Sequence, residues 1–168
     1  MAKARAIGGI TPDATFRRAA ASAVAVRSEE MFSFAAGVLD TDDIERVHDM
    51  RVASRRLRAV LEVFAPCFEK RELRDALRDV KALADDLGER RDPDVAMEAL
   101  KQVASELIHD DRPGIDHLVA ELARRQHEGN ERLRDRLREV ESSRLEERLE
   151  ALAAGALEAS AIESVAGP

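Results

Sequence analysis

His48-Asp49-Met50-Arg51-Val52-Ala53-Ser54-Arg55-Arg56-Leu57-Arg58 places four arginines and a histidine in a short stretch of an acidic chain. At about 100° per residue, His48, Arg51, Arg55 and Arg58 share one side of a helix. Val47, Met50, Ser54, Leu57, Leu61 and Phe64 occupy the neighbouring face. The spacing predicts an amphipathic helix whose basic stripe borders a buried seam.

An ordinary surface arginine has an acid three or four residues away, since such pairs stabilise a helix by roughly 0.2–0.5 kcal/mol. Arg51 and Arg55 have none: their helical neighbours are Val47, His48, Val52, Ser54, Arg58 and Ala59, and each other. Their counter-charge must come from another helix or from a bound anion. Glu121 before Arg125 and Glu128 before Arg132, by contrast, have the favourable spacing of a solvated helix face.

Outward from that helix, the whole chain reads as all-α. Its 168 residues suit one hydrophobic core. Composition is 45% hydrophobic and 36% charged, with neither Trp nor Tyr, which argues against strands. A net charge of −7 argues against a generic nucleic-acid binder, although screening within about 8–10 Å lets a local basic site persist. A single Cys67 forms no internal disulfide and suits a reducing compartment. With neither a signal-type apolar segment nor a membrane-length run, the expected location is cytoplasmic, with no membrane partner.

The expected architecture is an antiparallel bundle of about five helices, the last one long. Residues 1–10 read as a disordered leader, 11–155 as the helical domain and 156–168 as a frayed tail. Thr11-Pro12-Asp13 predicts the first helix start, running to about Leu39. Asp40 to Asp43 supply a turn, and Pro66 stops the arginine helix near Phe64. A third helix from about Glu69 ends at Leu87 with Gly88 as C-cap, and Asp92-Pro93 opens a fourth that reaches Ile108. After a breaker at His109 to Gly114, one long helix runs from Ile115 to about Gly155, with an interruption expected at Ser142-Ser143. Gly129 and Gln126 lie on its apolar side and allow close approach of another helix.

Two segments resemble a known family. Val47-His48-Asp49-Met50-Arg51-Val52-Ala53-Ser54-Arg55-Arg56-Leu57-Arg58 is similar to the signature of the conserved histidine α-helical domain, or CHAD, family. Leu87-Gly88-Glu89-Arg90-Arg91-Asp92-Pro93-Asp94-Val95 resembles that family's Leu-Gly-x-x-Arg-Asp-x-Asp-Val element. The resemblance implies a helical domain that binds inorganic polyphosphate in a basic cleft, sometimes in association with polyphosphate granules. Carried onto this chain it implies His48, Arg51, Arg55 and Arg58 as binding residues, with Lys81 and Arg74 on the third helix and Arg91 after its end. Arg56 matches the motif but projects away from the stripe. Full-length members carry two related bundles, and a second histidine–arginine helix is missing here, so the expectation is a half-length domain that rebuilds its cleft as a homodimer.

Other readings compete with this one. Glu45-x-x-His48 and Glu106-x-x-His109 have the spacing of carboxylate-bridged metal bundles, but their placement off the apolar face and in a breaker argues for no metal and no cofactor. A helical protein–protein adaptor would instead pair its arginines with acids such as Asp85, Asp86, Asp110 or Asp111. His117 and His127 read as solvent-facing, and no nucleophile assembles with a base, so the expected function is binding and not catalysis.

Overall fold

The computed structural model describes residues 3–106 and 112–165. Five α-helices follow in order: α1 (Phe16–Phe32), α2 (Ile44–Val63), α3 (Lys70–Glu106), α4 (Arg112–Ser142) and α5 (Leu145–Val165), with a 3-10 turn at Ala65–Cys67 between α2 and α3. There is no strand among the described residues, and none of the helices there is long and apolar enough to cross a membrane.

Helix neighbours run antiparallel. Phe16 at the start of α1 meets Phe64 just past α2, ring centroids 4.8 Å apart, while Arg46 at the start of α2 donates to the Ala36 carbonyl. Arg51 on α2 faces Gly88 on α3, and Glu62 meets Lys81. Gln126 on α4 reaches Asp94 of α3, and Arg136 reaches Asp86. The Thr15 hydroxyl lies 2.5 Å from that of Ser160, tying the start of α1 to the far part of α5.

The core lies where these helices overlap. Val24 and Met31 of α1, Met50, Leu57 and Leu61 of α2, Val80, Leu83 and Leu87 of α3, Leu133 of α4 and Leu149 of α5 are all fully buried. Beyond Asp94 on α3 and before Gly129 on α4, no described residue is buried. The two helices continue there as an arm with Val95, Val103 and Leu118 exposed.

Several expected boundaries move. α1 begins after Thr15, whose hydroxyl accepts from the Arg18 N–H, while Thr11 belongs to a preceding turn. It ends at Phe32, because the chain turns through Gly37 at φ +78°; Val38 and Leu39 thus reach the core from a turn and not from a helix. α3 does not stop at Gly88: it runs through Gly88 and Pro93 to Glu106, so the expected third and fourth helices are one. The continued burial of Leu87, Arg90 and Asp94 against α4 outweighs the weak helix preferences of glycine and proline. The long last helix is divided in two at the interruption expected at Ser142-Ser143. Arg144, at φ +54°, breaks the chain after Ser142-Ser143, and α5 is long but shorter than α3 and α4. Past Ala156 the tail is helical to Val165, with Ser160 buried, so it is not frayed over that span. Ile108 and the His109 to Asp111 part of the breaker lie outside the described residues.

Candidate anion-binding site

α2 carries the arginine stripe along its contact with α3. Its seam residues Val47, Met50, Ser54, Leu57 and Leu61 are buried, which fixes the helix rotation and turns the stripe to the border of the seam. Arg51 is half-buried, and its guanidinium lies over Gly88, where a β-carbon would stand 3.4 Å from Nε and 3.7 Å from Nη2. Arg55, one turn on, is exposed. Among the described residues no side-chain hydrogen bond or ion pair is made by Arg51, Arg55 or His48, as expected for Arg51 and Arg55 from their missing helical partners.

The remaining expected residues divide into distinct roles. Arg58 donates from Nε to Glu62 Oε1 at 2.9 Å, and Lys81 reaches the same oxygen at 3.3 Å from α3. The Arg58 hydrogen bond, followed by that of Lys81, holds the Glu62 carboxyl below its ordinary 4.5. Arg91 is mostly buried, within 3.8 Å of Glu45 and 3.6 Å of Asp94, and its Nε and Nη1 have no hydrogen-bond partner among the described residues. It sits within α3, one turn after Gly88, and not beyond a helix end as expected.

Two expected residues stand apart from the stripe. Arg56 donates to Glu30 Oε1 at 3.0 Å, and Arg27 holds Glu30 Oε2 at 2.5 Å. Glu30 is almost wholly buried, so Arg56 serves the α1–α2 contact and not the stripe. Arg74 is exposed, lies 3.6 Å from Asp75, and borders a groove with Leu73, Leu77 and Lys81. It lies two turns before Lys81 on α3, away from Arg51 and Arg55.

Arg90 is the residue that sequence reasoning missed. It is fully buried, donating from Nε to Asn130 Oδ1 at 2.9 Å and from Nη1 to both oxygens of Asp94 at 2.7 and 2.8 Å. Gln126 also donates to Asp94, and Asn130 donates to the Leu39 carbonyl. Gly129 makes room: a β-carbon there would stand 3.1 Å from Arg90 Cα. The Leu87 to Val95 segment is thereby both a structural clasp on α4 and a wall beside the stripe.

The acids offered by the competing readings are placed elsewhere. Asp86 takes Arg136, and Asp85 forms no ion pair among the described residues; Asp110, Asp111 and His109 lie outside them. No group of three metal-ligating side chains converges among the described residues. On α4, Arg125 pairs with Glu121 as spaced, whereas Glu128 pairs with Arg124 and Arg132 crosses to Glu89.

No curated protein and no solved structure matches the chain. Against descriptions of known families, the CHAD domain matches residues 22–167, a span that holds both motif segments. The chain therefore belongs to the CHAD domain family.

Proposed function

We propose that the chain binds inorganic polyphosphate, without chemistry, along the α2 stripe where it borders α3. One observation carries the reading: Arg51 and Arg55, a turn apart on one face with His48, have no carboxylate among the described residues. Arg18 and Arg71 are likewise unpaired, but each lies in the first turn of its own helix. Like charges at this spacing cost stability unless an anion meets them. A polyphosphate chain is a regular row of oxyanions, and each guanidinium can fork onto two of them. The stripe from His48 to Arg58 extends about 15 Å along the helix, which suits an extended anion better than a single phosphate. Arg91, with two unsatisfied donors a turn beyond Gly88, adds to the same end.

Two chains associate in this proposal, each supplying one wall of the cleft, and the complex gathers at polyphosphate granules in the cytoplasm. Arg56, Arg58, Arg74, Lys81 and Arg91 do have acidic partners, which favours the adaptor reading for those residues.

Titration of long-chain polyphosphate at two salt concentrations tests the function, with light scattering alongside. Binding that weakens with salt is expected, since captured phosphates release counterions. Absence of binding at low salt would leave the adaptor reading. A monomer with and without polyphosphate would remove the paired cleft.

A further inference from the structure

Glu62 stands on the stripe itself. Arg51, Arg55, Arg58 and Glu62 succeed one another at three- and four-residue steps on one side of α2, so the carboxylate terminates the row of cations. Its Oε1 receives Arg58 at 2.9 Å from its own helix and Lys81 at 3.3 Å from α3. That single oxygen thus does what a phosphate oxygen would do, joining two cations from two helices through a charge-assisted hydrogen bond from Arg58 and a longer ion pair with Lys81. The opposite end of the stripe is different. Glu45 stands 3.8 Å from Arg91, beyond hydrogen-bond range, and Arg91 keeps donors unsatisfied.

Resting on the polyphosphate reading, we infer that Glu62 is an internal competitor for the anion that closes the Arg58–Lys81 end of the track and thereby sets the length of chain it prefers. A short polyanion is held over the roughly 10 Å between His48 and Arg55 and never meets Glu62. A long chain must displace the carboxylate or leave the groove before Arg58. Arg58, Glu62 and Lys81 are each a little over two-fifths exposed, so water can replace the bonds that are lost and the displacement is modest.

The test compares tripolyphosphate and long-chain polyphosphate binding to wild type, Glu62→Gln, Arg58→Ala/Lys81→Ala and the corresponding triple variant. Glu62→Gln should tighten the long chain by about two- to tenfold, as for removing exposed competing pairs, and steepen its salt dependence. Tripolyphosphate affinity should stay unchanged. The gain should vanish when Arg58 and Lys81 are absent, which separates an opened track from a general loss of negative charge. Equal gains for both anions, a gain that survives without Arg58 and Lys81, or no gain would each overturn the inference. Wild type that binds but is indifferent to Glu62→Gln removes this inference alone; wild type that binds neither anion removes the polyphosphate reading and the inference with it.

Discussion

The Arg51 guanidinium lies across Gly88, with Nε 3.4 Å from the point where a β-carbon would project, so the stripe on α2 rests directly on the backbone of α3. Gly129 faces α3 more tightly, 3.1 Å from Arg90 Cα by the same measure. The two glycines therefore predict opposite outcomes. Gly88→Ala adds a methyl at ordinary contact with a flexible side chain and gains up to about 1 kcal/mol of helix preference. Gly129→Ala must push two backbones apart at about 1–3 kcal/mol, offset by the same preference, for a net loss of about 1 kcal/mol. Denaturant unfolding of both variants checks this, and a stabilised Gly129→Ala contradicts the close approach.

Glu30 predicts a cost without a functional effect. Its removal by Glu30→Ala takes from Arg27 and Arg56 the carboxylate they share in a mostly buried setting, with an expected loss of about 3 kcal/mol. Arg56→Met should cost less, because Arg27 still pairs with Glu30. It should leave phosphate-chain binding intact, measured on the folded variant.

Asp94 anchors Arg90, Gln126 and, more distantly, Arg91. Asp94→Ala strands a fully buried guanidinium and should cost about 3–5 kcal/mol, read as a lowered urea midpoint. A variant within a few tenths of wild type would mean that the clasp between α3 and α4 is incidental.

Glu121 is held at a pKa of about 2 by the hydrogen bond from Arg124, then that from Arg125. Because this lies below the ordinary 4.5, its contribution to stability is present in full above 4.5 and is lost as pH falls toward 2. The pair is exposed, so salt should raise the pKa toward the ordinary value. Carboxyl NMR titration at low and high salt reads both effects; an ordinary value at low salt contradicts the Glu121–Arg124 geometry.

The arginine helix was legible because two local signals agreed: a 3.6-residue apolar stripe and missing partners for Arg51 and Arg55. Both describe neighbours within one helix, which sequence spacing reports directly. The junction at Gly88 to Pro93 was not, since glycine and proline locally favour a stop while the contacts that carry α3 onward come from Gln126, Gly129 and Asn130 on α4. Arg90 was hidden for the same reason. Beside Arg91 in a charged segment it reads as solvated, and only its Asp94 four residues on hints at a pair. The roles of Glu62 with Lys81 and of Glu30 with Arg56 also depend on which helices meet, which spacing along one helix does not encode.

Arg51→Ala/Arg55→Ala tests the central claim most directly. Neither arginine has a partner to lose among the described residues, so the unfolding midpoint should be unchanged or slightly raised. At about 1.5–3 kcal/mol for each charged hydrogen-bonded contact, long-chain polyphosphate binding should fall by at least about a hundredfold. A folded double variant that binds polyphosphate as tightly as wild type would contradict the account.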